Sequence, residues 1–206
     1  MLTKEEYVKD PCRAASIPYW KAVSICMPAD MIILHEEDLH GDFPEHYQDT
    51  RYFRLIHRLQ VCATALPGGF SLCQGTAEEF AAHIRECYGS DITPQEVHSF
   101  TERAVYCQDL WLAIREDSTG RVVATGIGEL DRDLGEGILE WIQVSEGYRR
   151  RGLGRFVVKE LLWRMRDKAT FATVSGQCDS PSCPEGLYRS CGFTGNDVWH
   201  VLHKIP

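Results

Sequence analysis

The chain has 206 residues, 44% of them hydrophobic and 25% charged, with a formal net charge of -8 at neutral pH. That is enough apolar mass for a packed core in one large domain, and the acidic balance argues against nonspecific nucleic-acid binding while favouring a cationic or amine ligand. Apolar stretches of only a few residues exclude a membrane span, and MLTKEEYVKD carries two glutamates where a secretory leader has basic and then apolar residues, so a soluble cytoplasmic protein is expected.

Nine cysteines (Cys12, Cys26, Cys62, Cys73, Cys87, Cys107, Cys178, Cys183 and Cys191) are odd in number, irregularly spaced and without a Cys-x-x-Cys pair. They read as reduced thiols rather than a disulfide framework. Pro11, Pro18, Pro28 and Pro44 interrupt the first third of the chain, where the acidic stretch HEEDLHGDFPEH also lies. Within it only Tyr52 to Val61 is strongly periodic, with Phe53, Ile56, His57 and Gln60 at helical spacing. Loop chemistry at Pro67-Gly68-Gly69 gives the one boundary the pattern offers. Residues 1–67 are expected to form an N-terminal extension and 68–206 the main domain.

A short strand follows the turn in GFSLCQG, and Thr76 with Glu79 three residues on is a capping box that predicts a helix from Ala77 to about Tyr88. Thr93-Pro94 starts a second helix, to about Arg103. Asp109–Glu116, Arg121–Leu130 and Gly137–Val144 are β-rich runs joined by tight turns, which predicts an antiparallel meander. From Gly152 the period changes, with Leu153, Val157, Leu161 and Met165 every four residues on one helical face. A strand over Thr170–Gln177, a short helix capped by Ser182 or Cys183 and ending at Gly192, and a strand over Asp197–Ile205 complete the order. The fold class expected is mixed α/β (α+β): a largely antiparallel central sheet flanked by helices.

Between the third meander strand and the amphipathic helix lies VSEGYRRRGLGRF, Val144 to Phe156. Glycines there let a ligand approach the backbone, and the first-turn N–H groups with the helix dipole make an anion site that three arginines reinforce. A P-loop is excluded because no Gly-Lys-Ser/Thr is present, and a dinucleotide fingerprint is excluded because GLGRFV has valine at the third glycine position.

Arg149-Arg150-Arg151-Gly152-Leu153-Gly154, set between a strand and a helix, resembles the acyl-CoA signature Q/R-x-x-G-x-G/A of the GNAT acyltransferase superfamily. Two helices and a meander precede it as in that family, and LYRSCGF (Leu187 to Phe193) is similar to the family's L-Y-x-x-x-G-F, so the resemblance spans about 68–206. It implies an N-acetyltransferase using acetyl-CoA as cosubstrate, with pantetheine and pyrophosphate held by Val144, Arg149, Arg150, Arg151, Gly152, Leu153 and Gly154. It implies direct transfer to a small-molecule or peptide amine, without a metal. Where family members commonly have asparagine and alanine before L-Y, this chain has Pro181 and Pro184.

Acyl transfer to an amine needs a neutral amine, donors for the developing oxyanion and a proton for the leaving thiolate. An alkylamine has a pKa of about 10.4, so a carboxylate must take its proton. Glu140, four residues before Val144 and on the same sheet face under strict alternation, is the leading base, with Glu129 and Asp179 behind it; a plain sheet-edge carboxylate is the competing reading. The resemblance makes Tyr188 the acid that protonates the departing sulfur, against a packed core tyrosine. Two sharper ideas rank below structural cysteines: a Cys183 nucleophile, and zinc held by Cys178, Cys183 and Cys191 with His200 or His203. A non-catalytic acyl-CoA-binding regulatory module, a homodimer and a partner-binding role for 1–67 remain open.

Overall fold

The computed structural model describes residues 2–40 and 46–205, so Pro44 and the middle of HEEDLHGDFPEH lie outside the described residues. Two compact units divide the chain, one made of Met1–His57 with Thr173–Pro206 and the other of Arg58–Ala172.

The second unit holds the meander. Phe70–Cys73 forms β3, Trp111–Glu116 β4, Val122–Asp131 β5 and Glu136–Val144 β6, all pairs antiparallel, in spatial order β6-β5-β4-β3. Asp109 and Leu110, expected in the first meander strand, instead close a 3-10 turn ahead of Trp111. Helix α4 runs Ala77–Tyr88 and α5 runs Pro94–Ser99, continued by a 3-10 turn to Glu102. Both start in the complete capping boxes Thr76/Glu79 and Thr93/Glu96, and Gly89 ends α4 in the left-handed conformation that a helix C terminus favours.

Helices α4 and α5 bury Phe80, Ala81, Ile84 and Val97 against Ala113 and Ile127, with Trp111 and Trp141 packed at the margin. Helix α6, Leu153–Met165, covers the opposite sheet face with seven buried apolar side chains. Each contributes on the order of 1.5–3 kcal/mol of transfer free energy when fully buried. It sits close because the sheet beneath it carries glycine: a Cβ on Gly126 would lie 2.4 Å from Val157 Cγ1, and one on Gly137 2.5 Å from Met165 Sδ.

In the first unit, α1 (Lys4–Lys9), α2 (Pro11–Ala14) and α3 (Tyr19–Ala22) precede β1 (Met31–His35) and β2 (Tyr47–His57). β7 (Phe171–Gln177) enters from the second unit, followed by α7 (Pro184–Ser190) and β8 (Thr194–Lys204). The spatial order is β1-β8-β2-β7, and both β1 and β2, from the stretch read as an extension, pair antiparallel with β8.

The helix expected from Tyr52 is therefore a strand. Burial on both faces explains the misreading: Phe53, Arg54, Leu55 and His57 are all buried, so no period of two is visible. Arg54 is 1% exposed, and its guanidinium donates to the Tyr7 hydroxyl at 2.7 Å, the Ser175 hydroxyl at 2.9 Å, Thr173 Oγ1 at 3.3 Å and the Pro11 carbonyl at 3.3 Å. A charged side chain thus pins α1 and α2 to β2 and β7.

Candidate active site

Ser145 N donates to Val123 O at 2.9 Å, which sets the phase of the β5–β6 ladder: Val123/Ser145 and Thr125/Gln143 fall at its hydrogen-bonded positions. Ile142 and Val144 consequently direct their backbone N–H and C=O away from β5. Beyond Val144 a 3-10 turn over Glu146–Tyr148 leads into the arginines, where Arg150 (φ 65°) and Gly152 (φ 86°) both take left-handed backbone.

Those two residues turn the chain so that α6 begins at Leu153 with Gly152 as an N-cap that supplies no side-chain acceptor. The first N–H groups of a helix have no acceptor within it, and here they gather at the positive end of a 13-residue helix. A Cβ on Gly152 would come no nearer to the rest of the chain than 3.5 Å, from Pro67 Cγ. Arg149, Arg150 and Arg151 are exposed around it. The Arg149 Nε donates to Val144 O at 3.2 Å, and Arg151 donates to Gly147 O at 3.1 Å with its guanidinium 4.9 Å from the Tyr148 ring. Open N–H groups, a helix dipole and three guanidiniums suit a polyanion such as a diphosphate.

A buried polar chain fixes this turn from within the second unit. His83, on α4 and 3% exposed, reaches Thr125 Oγ1 through Nδ1 at 2.8 Å and Ser145 Oγ through Nε2 at 3.0 Å. The amide nitrogen of Gln143 can only donate and the carboxylate of Glu86 only accept. A direction consistent with these two ends runs from Gln143 to Thr125, Thr125 to His83, His83 to Ser145, and Ser145 to Glu86, with the buried Gln143 Oε1 left outside it. This keeps the imidazole neutral, and burial pushes its pKa below the ordinary 6.5. Burial works against ionisation of Glu86, but hydrogen bonds from Ser145 and Arg121 outweigh it and hold the carboxyl below its ordinary value. Cys87 Sγ lies 3.6 Å from His83 Nε2, and burial pushes that thiol up to about 11, which leaves it unreactive.

Glu140 occupies a β-bulge. Ile127 pairs with Trp141 but Gly128 pairs with Leu139, so Glu140 is the extra residue of β6. Gly137 and Gly126, the latter opposite Ile142, both face α6, although Gly137 and Ile142 are separated by an odd step. Strict alternation from Val144 back to Glu140 therefore fails, and the shared-face argument is corrected: Val144 keeps the α6 side while Glu140 and Trp141 fall on the α4 side. Glu140 itself is half-buried.

Tyr188 lies in the other unit, on α7, 6% exposed, with its ring centroid 5.7 Å from that of Phe193 and 6.1 Å from that of Phe53. Glu129 is buried and ion-paired to Arg103 at 2.7 Å, and Asp179 accepts from Arg51 at 3.1 Å in a pair whose side chains are both largely exposed. Cys183 is exposed with a left-handed φ of 46° and caps α7 without a side-chain bond. None of the nine cysteines forms a disulfide, and among the described residues no group of three or more His, Cys, Asp or Glu is placed to hold a metal ion. No helix among the described residues is long and apolar enough to cross a membrane. Sequence reasoning did not single out His83 or Ser145; position alone, Ser145 directly after Val144, was the available signal.

The sequence model of the acetyltransferase (GNAT) family matches residues 77–193, more than half of the 206. No curated protein matches by sequence. Among solved structures, a GCN5-related N-acetyltransferase from Sphaerobacter thermophilus is similar at TM-score 0.67 and 19% identity, over 97% of this chain and 64% of that one. A Drosophila protein is similar at TM-score 0.60 and 17% identity, over 78% of this chain and 52% of its own. A GCN5-related N-acetyltransferase from Kribbella flavida is similar at TM-score 0.53 and 18% identity, over 84% and 67% respectively. This chain thus spans between about half and two thirds of the length of the first two structures, and at these identities the likeness establishes the fold. With a mixed sheet of the same architecture and the family's own sequence pattern across α4 to α7, the chain belongs to the acetyltransferase (GNAT) family.

Proposed function

We propose that the protein is an N-acetyltransferase that moves an acetyl group from acetyl-CoA to an amine by direct attack. The observation that carries this reading is the uncapped start of α6, where Gly152 leaves open space beside three arginines. The residues present fit the cosubstrate: the N–H groups of Leu153 and Gly154 with Arg149, Arg150 and Arg151 suit its diphosphate, and the outward backbone of Val144 suits an amide-bearing arm. Acetyl-CoA supplies the activated thioester. Glu140, a half-buried carboxylate of β6, takes the proton of the attacking amine, directly or through water, a role that rests on the chemistry of the group; Tyr188 returns a proton to the leaving sulfur, a role that follows from the family resemblance. The charge of -8 favours a cationic acceptor, small molecule or peptide, and the cytoplasm is the compartment that fits nine cysteines without a disulfide among them.

The test is incubation with isotopically labelled acetyl-CoA, a panel of amines and cell extract, followed by mass spectrometry. A labelled amide is expected, and it would name the acceptor class. The second reading, a non-catalytic acyl-CoA-binding regulatory module, is favoured by Pro181 and Pro184 in place of the family's usual residues; binding of CoA with no labelled product in any fraction would select it.

A further inference from the structure

The backbone of β6 is already occupied where an extended ligand would pair with it. Ile142 and Val144 are the residues of that segment whose carbonyls point away from β5. Each carbonyl accepts a hydrogen bond from a side chain of the protein: Tyr88 Oη donates to Ile142 O at 2.9 Å, and Arg149 Nε donates to Val144 O at 3.2 Å. The two donors come from different elements, the last residue of α4 and the arginine turn. Tyr88 is held over the strand by its ring, which meets Trp141 edge-on at 5.6 Å between centroids. Two carbonyls two residues apart along an extended strand present the spacing to which successive amide N–H groups of an extended chain bind.

We propose that Tyr88 and Arg149 are internal competitors for the acyl-CoA arm, so that the protein sets its own cosubstrate affinity. The inference rests on the acyl-CoA reading above. An incoming amide N–H takes the Ile142 carbonyl from the Tyr88 hydroxyl, which is desolvated where it sits and must turn outward, on a residue 55% exposed as a whole, to reach water. Another takes the Val144 carbonyl from Arg149. The released guanidinium stays on the arginine turn, where it meets the diphosphate, so the arm and the diphosphate bind cooperatively through one side chain. Tyr88 has no such second use and only opposes binding.

The experiment is calorimetric titration of CoA into the full chain and into Tyr88→Phe, which keeps the ring against Trp141 and removes only the hydroxyl. ADP, which has the diphosphate and no amide arm, is the second probe. The expected result is CoA binding about three- to ten-fold tighter in Tyr88→Phe, the range of one net hydrogen bond, with ADP affinity equal in the two proteins. Equal or weaker CoA binding in the variant overturns the inference while leaving the acyl-CoA site in place. Tightening of ADP by the same factor also overturns it, because the hydroxyl would then not be competing with the arm. Failure of CoA to bind either protein removes the site itself, and the inference with it.

Discussion

Gly152 permits the anion-binding role of the turn to be separated from its role in folding. Its φ of 86° and ψ of -6° lie in left-handed backbone, and a Cβ there would meet Pro67 Cγ at an ordinary 3.5 Å. Replacement by alanine therefore costs conformational strain without a clash, about 1–2 kcal/mol. For a chain of this size the melting temperature falls by roughly 2–8 °C. Gly152→Gln and Gly152→Glu share that strain and differ by one charge. A carboxylate about 5 Å from one phosphate charge, at an effective dielectric near 20, is repelled by about 3 kcal/mol, which is about a hundred-fold in affinity. Melting curves and CoA titrations on the three variants form the assay. All three should melt at similar temperatures, and Gly152→Glu should bind CoA about a hundred-fold more weakly than Gly152→Gln, with the gap narrowing as salt rises. Equal CoA affinity for the Gln and Glu variants would refute the placement of the diphosphate at this turn.

Three further outcomes follow from other parts of the molecule. Because His83 is buried with its pKa lowered, the unfolded chain takes up its proton first as pH falls; stability from the neutral ring is full above about 6.5 and falls below it, and His83→Gln should flatten the melting-temperature profile below about pH 6.5. Arg54→Lys keeps a buried charge but cannot span four acceptors, so it should cost about 2–4 kcal/mol, read as a melting temperature lower by roughly 5–15 °C; an unchanged melting temperature would contradict the pinning of α1 and α2. Tyr188→Phe should lower turnover with CoA affinity nearly intact, and equal turnover would leave Tyr188 a packing residue.

What could be read in the sequence was what is encoded locally. The boxes Thr76/Glu79 and Thr93/Glu96 set helix starts through side chains three residues apart, and the structure begins α4 and α5 there. Thr3 and Glu6 carry the same spacing and do cap α1, a signal that was present and unused. The arginine-glycine turn is also local, since φ, charge and helix start all lie within a few residues. The strand at Tyr47–His57 was illegible because an arginine sits among its buried residues and both faces are covered. The bulge at Glu140 exists only relative to β5, and the Tyr88 bond to Ile142 joins residues far apart in sequence, so neither has a local signature.

That bulge makes β6 two strands in one. Before it, Gly137 and Leu139 look toward α6; after it, Ile142 and Val144 do, and the alternation between them has changed phase. Loss of Glu140 would set Leu139 beside Trp141 with their partners Gly128 and Ile127 unchanged, so the ladder would become regular and both halves would show each layer the same side chains as before.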